Sequence, residues 1–135
     1  MGISGSPTSE IIYKNLEVPA ENLLGNEGDG FKTIMQTLDG GRVGIGAQAL
    51  GIARGAMDTA IQYIKERQQF GKPLAVNQGL QWMVSDMALR IEASRLLVHK
   101  AAMAKMSGKR FSVEAAMAKL MASETAMDVT TKAVQ

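Results

Sequence analysis

Apolar residues recur at three- and four-residue intervals along three long stretches of the chain, separated by short connectors that carry glycine. The first stretch runs from residue 30 to about 68. Phe31, Ile34, Met35, Leu38, Ile45, Ala49, Ile52, Ala53, Ala56, Met57, Ala60, Ile61 and Ile64 mark one helical pattern, with Asp29 placed to cap it. A second helix is expected from residue 74 or 77 to 106, with Leu80, Met83, Val84, Met87, Ile91, Val98, Ala101 and Ala102 on one stripe and Gly108 beyond its end. A third begins after Phe111, with Ser112 as cap and Glu114 in the first turn. It continues through Ala118, Met121, Ala122, Thr125, Ala126, Val129 and Ala133. No stop signal follows Val134, so this helix is expected to belong to a longer chain.

Ahead of the helices, residues 10–13 and 16–18 favour β-structure around a Lys14-Asn15 turn. Two short strands are marginal alone in water, so this hairpin is expected to be the remnant of a sheet whose other strands lie elsewhere. Short connections around Gly71 and Gly108 favour antiparallel neighbours. The expected fold is therefore mainly α: an up-down antiparallel helical bundle with an N-terminal β-hairpin.

Six glycines, Gly40, Gly41, Gly44, Gly46, Gly51 and Gly55, interrupt the first helix. Their combined cost relative to alanine is roughly 5 to 6 kcal/mol, which something outside the helix must offset. Either neighbouring helices approach closely across the glycine face or a ligand lies against it, and close packing is the favoured reading. The same glycine-rich stretch lacks a preceding strand and a Gly-Lys-Ser/Thr pattern, which sets a mononucleotide phosphate loop aside. Asp39 and Arg42, three apart, form either a surface pair or the wall of a polar ligand site, and alone they read as a surface pair.

Composition narrows the function. A formal charge of +2 and an aromatic content of 4% are far from the concentrated basicity and stacking surface of a nucleic-acid binder. The chain has no cysteine, so it offers no disulfide framework, thiolate nucleophile or cysteine metal site, and its single histidine, His99, cannot build a metal site by itself. His99 itself reads as a partly exposed helix residue. Absence of cysteine suits a reducing compartment, and the expected location is the cytoplasm or, if the source is a eukaryote, the mitochondrial matrix. No apolar run reaches the roughly 18 residues of a membrane span, and the ten methionines fall where thioethers fill core gaps.

The connector KERQQFGKPLAVNQ, residues 65–78, is richer than a turn requires. Each of its polar residues is unremarkable alone. Together, Arg67, Lys72, Gln68 and Gln78 could surround a diphosphate while Phe70 supplies an apolar wall for an adenine, which suggests a nucleotide cofactor.

Three stretches of the sequence resemble the acyl-CoA dehydrogenases, in particular the short-chain, butyryl-CoA branch: GSPTSEIIYKNLEVPAENLLGNEGDGF, LDGGRVGIGAQALGIARGAMDTAIQYIKERQQFGKPLAVNQ and EAAMAKLMASETA. The resemblance covers nearly the whole chain, and the Arg-x-x-Phe-Gly-x-Pro connector followed by glutamine is its most specific element. It implies an FAD enzyme that converts a short acyl-CoA to the trans-2-enoyl-CoA, a carboxylate taking the α-proton and the flavin the β-hydride. It also implies homodimers or homotetramers and suggests an electron-transfer flavoprotein as acceptor.

By position, Arg67 and Phe70 resemble the pair that contacts the FAD of a neighbouring subunit. Gln78 resembles its adenosine-side partner, and Gln135 matches the start of the next FAD-contacting segment. Asp39 to Arg42 match a segment lining the acyl-CoA site. Residues 1–27 then correspond to the end of a middle β-domain, and residues 28–135 to three long helices of a C-terminal four-helix bundle, here incomplete. The family's catalytic glutamate lies beyond Gln135 in most members. A minority carry it at the position of Gly41, which has no side chain to accept a proton. Ser4 stands where the branch often has arginine. On its own, the chain is expected to be inactive and not to retain FAD. A non-catalytic helical interaction module and a flavin acyl-CoA oxidase are the competing readings.

Overall fold

A computed structural model describes residues 4–135. Three helices make up most of the chain: α1 (Gly30–Glu66), α2 (Gln78–Met106) and α3 (Ser112–Val134). They pack as the expected up-down bundle, α3 lying against both of the others. Their limits lie within a few residues of those read from periodicity. Strand structure does not form over residues 10–18, which are irregular around a bend at Lys14-Asn15. Without further strands to pair with, two short β-favouring runs have no sheet to join. The strand pair that does form lies in the connector, where β1 (Gln68–Gln69) and β2 (Lys72–Pro73) are antiparallel with Gln69 opposite Lys72.

Small side chains set how closely the helices approach. Ala53, Ala101, Ala115, Ala118 and Ala122 are fully buried. One cluster joins Ala53 and Met57 of α1 to Met87 and Ile91 of α2 and Val129 of α3, and a second joins Val98 and Ala101 to Ala118 and Ala122. Between α2 and α3 the buried hydroxyl of Ser94 meets that of Thr125 at 2.9 Å, and it also donates to the carbonyl of Arg90 at 2.8 Å. This pairing leaves neither hydroxyl unsatisfied, and it fixes the longitudinal register of the two helices.

The apolar pattern of α1 splits into two faces. Ala53 and Met57 point into the bundle, whereas Ile34, Leu38, Ile45 and Ile52 are exposed. The glycines divide in the same way. At Gly46 an added Cβ would lie 3.4 Å from the carbonyl oxygen of Ala118 and from a methyl of Val98, so here α1 and α3 do approach closely. At Gly41, Gly44, Gly51 and Gly55 it would meet nothing within 4 Å. Close helix packing, the favoured sequence reading of the glycine face, therefore holds at Gly46 and not at these four.

Candidate functional site

The connector is built to present side chains outward. α1 stops where Arg67 turns to an extended backbone, its N–H still bonded to the Tyr63 carbonyl. The Arg67 carbonyl then accepts from the Leu74 N–H at 2.8 Å, closing a small hairpin. Its two central residues, Phe70 and Gly71, have φ of 51° and 73°. Both signs are those a type I′ turn demands, and glycine meets that demand freely. Phenylalanine does not, because a bulky L-residue at positive φ is strained by about 1 kcal/mol or more. The ring gains no packing in return, since Phe70 is fully exposed. Replacing it with asparagine, the residue this turn prefers, should stabilise the folded chain by about 1 kcal/mol, read as a rise in the midpoint of thermal unfolding.

Beyond the hairpin, Asn77 Nδ2 donates to the Leu74 carbonyl and Gln81 Nε2 to that of Ala75, bracing the single 3-10 turn that precedes α2. Gln78 is the first residue of α2 and lies exposed at the helix N-terminus. Among the described residues, the side chains of Arg67, Phe70, Lys72 and Gln78 make no hydrogen bond or ion pair. The structure thus brings three of the four expected cofactor residues, Arg67, Phe70 and Gln78, to one exposed end of the bundle.

Gln135 follows α3 at that same end. With Tyr63, Leu74, Leu80 and Met83 it lines an open apolar groove of about 940 Å³ between the three helices. A guanidinium, an exposed aromatic ring, carboxamides and a helix N-terminus make a donor set suited to a diphosphate joined to a flat heterocycle, so the residues present fit the adenosine-diphosphate half of FAD.

Asp39 and Arg42 occupy a different place. The Asp39 carboxylate is mostly buried, its side chain 12% exposed, and it pairs with Arg42 one turn on. Its other oxygen accepts a hydrogen bond from Ser112 Oγ at 2.5 Å, so the pair is not the surface contact the spacing suggested. Ser112 does not cap α3 as expected. Phe111 occupies that position and has no side-chain acceptor to offer, while the Ser112 hydroxyl, one residue inside the helix, donates to Asp39 across the bundle.

Beside this carboxylate lies a groove of about 810 Å³, lined by the apolar Phe31, Met35 and Phe111 and by a basic rim of Lys32, Lys105, Lys109 and Arg110. The Lys105 ammonium rests over Gly40, where an added Cβ would come within 3.3 Å of Nζ. The basic rim was not singled out in the sequence, because its residues come from two helices and the α2–α3 loop and converge only on folding. Asp39 and Arg67 are 28 positions apart along α1, so the two clusters stand roughly 40 Å apart. They cannot grip the same group.

A bundle carrying an outward cofactor-type connector at one end and an acid-anchored basic groove at the other is matched by a family model, "Acyl-CoA dehydrogenase, C-terminal domain", over residues 28–135. The chain belongs to the acyl-CoA dehydrogenase family. It is 56% identical over its full length to the short-chain specific acyl-CoA dehydrogenase of Megasphaera elsdenii, of which it spans 35%. The solved structure of butyryl-CoA dehydrogenase from the same organism superposes with a TM-score of 0.88 at 56% identity, over 92% of this chain and 32% of that one. A chain from the structure of the electron transferring flavoprotein of Acidaminococcus fermentans matches with the same TM-score at 60% identity, again over 92% of this chain and 33% of that one. The chain thus spans about a third of the length of the relatives it matches. Among the described residues, no helix is long and apolar enough to cross a membrane.

Proposed function

We propose that this chain forms part of a short-chain acyl-CoA dehydrogenase, in which it supplies FAD contacts across a subunit interface and one wall of the acyl-CoA site. The observation that carries this reading is the strained, fully exposed Phe70 beside an unpaired Arg67, in a hairpin whose own packing explains neither. An aromatic ring held outward at an energetic cost is expected where a ligand covers it. Arg67 would hold the diphosphate, Phe70 the adenine, and Gln78 the adenosine portion of FAD, with Gln135 contacting the cofactor from the next segment. Because this cluster stands far from Asp39, it would serve the FAD of a neighbouring subunit. That reading favours a homodimer or a homotetramer built from dimers.

Asp39 and Arg42 would contact the acyl-CoA, whose phosphates suit the basic rim of the adjacent groove. The exposed glycines of α1 would let the thioester and its partners approach the backbone. FAD, when bound, accepts hydride from the β-carbon. The residues of this chain bind and orient, and none of them removes the α-proton: Gly41 cannot, so the base comes from elsewhere in the whole protein. Residues 1–27 would end a middle β-domain, and residues 28–135 would form the C-terminal helical domain. An electron-transfer flavoprotein would reoxidise the enzyme, in the cytoplasm or, in a eukaryote, in the mitochondrial matrix. The reading is tested by oxidation of acyl-CoA thioesters of graded chain length by the full-length protein, where the shortest chains should be preferred.

A further inference from the structure

From the contact between Ser112 and Asp39 we infer that Ser112, the first residue of α3, is a positioning residue that holds the Asp39 carboxylate in its acyl-CoA-binding orientation. The inference rests on the proposal that Asp39 and Arg42 contact the thioester ligand.

A carboxylate on a helix facing an open groove has several rotamers available, and Arg42 alone, on the same helix, constrains only one of its oxygens. The second oxygen is taken by Ser112 Oγ at 2.5 Å, from a residue 73 positions away in sequence and on another helix. With one oxygen toward Arg42 and the other toward Ser112, both rotation about the side-chain bonds and displacement into the groove are opposed.

The contact places Ser112 at the edge of the groove. The N-cap of α3 is Phe111, whose side chain has no group to cap the helix, and Ser112 is the first residue inside it. Ser112 also follows directly on Lys109, Arg110 and Phe111, which line the groove beside Asp39. One hydroxyl therefore ties the groove's acidic anchor on α1 to the loop that carries part of its basic rim.

The test uses the full-length, FAD-containing protein and steady-state kinetics with butyryl-CoA. Ser112→Ala should raise KM roughly three- to tenfold with kcat little changed, the pattern of lost binding common to ground and transition states. Ser112→Thr, which keeps the donor, should restore KM. Should the alanine variant fail to fold, Ser112→Cys retains the volume with a weaker donor and should shift KM in the same direction.

Asp39→Asn, alone and combined with Ser112→Ala, separates the possible failures. If Asp39→Asn leaves KM unchanged, the substrate reading of Asp39 is wrong and this inference falls with it. If Asp39→Asn raises KM and Ser112→Ala does not, the substrate reading stands and the positioning role is refuted. A purely structural role would lower the unfolding midpoint of Ser112→Ala without the selective rise in KM, and the double variant would then be worse than Asp39→Asn alone.

Discussion

Arg67→Ala in the full-length protein should weaken FAD binding roughly ten- to a hundredfold. The guanidinium ends α1 in an exposed, extended position with no ion-pair partner among the described residues, so removing it costs the bundle nothing that packing would report. A charge-assisted contact to a diphosphate is worth about 1.5 to 3 kcal/mol when largely desolvated, which sets the size of the expected loss. Arg67→Lys should recover only part of it, because an ammonium keeps the charge without the planar fork of donors. Arg54, paired with Asp58 at 2.9 Å on the exposed surface of α1, is the control, and Arg54→Ala should leave FAD affinity unchanged. Oligomeric state must be followed in parallel, because the proposed contact crosses subunits. Equal FAD affinity for wild type and Arg67→Ala would reduce the connector to a turn.

A large effect of opposite sign is expected on stability. Gly41, Gly44, Gly51 and Gly55 all lie within α1, and none has a neighbour within 4 Å of an added Cβ. Alanine at all four should stabilise the 135-residue chain by roughly 3 kcal/mol through helix propensity alone. That corresponds to a rise of about 10 °C in its unfolding midpoint. In the full-length protein the same four methyl groups should weaken acyl-CoA binding if the face receives a ligand. Stabilisation with unchanged acyl-CoA binding would mean that the glycines serve neither ligand nor partner. No stabilisation of the 135-residue chain would mean that the open face is not open.

These two cases show where sequence reasoning reaches and where it stops. The three helices were legible because burial repeats with helical period, and Met87, Ile91 and Val98 on α2 and Ala118, Ala122 and Val129 on α3 all face inward as their spacing implies. The limits of α1 were close because Gly71 and Pro73 punctuate the chain just beyond it. Periodicity could not divide the apolar residues of α1 between an inward and an outward face, since Ile45 and Ile52 fit a helical pattern as well as Ala53 does. Nor could it show that only one of the four glycines from Gly44 to Gly55 meets another helix, because close approach depends on where α3 lies. The strand pair was expected over residues 10–18 and formed instead over residues 68–73, where an I′-type turn closes it locally without a larger sheet.

The candidate sites divide along the same line. Arg67, Phe70 and Gln78 lie within a dozen residues of one another, so a local reading could group them. The surroundings of Asp39 could not be read this way. Ser112 is 73 residues distant and looked like a helix cap, and the basic rim comes from α1, α2 and the loop before α3. An i,i+3 pair of opposite charge is usually a surface contact, and only the burial of Asp39 against α3 distinguishes this one.

The role proposed for this chain is contact with cofactor and thioester within a short-chain acyl-CoA dehydrogenase. Its most direct test is anaerobic addition of butyryl-CoA to the purified full-length protein while the visible absorbance of its flavin is followed. The account predicts that FAD copurifies and that its absorbance bleaches on addition of butyryl-CoA, more completely than with a long-chain acyl-CoA at the same concentration. Bound flavin that is unchanged by any acyl-CoA, or a full-length protein that binds no flavin, would contradict it.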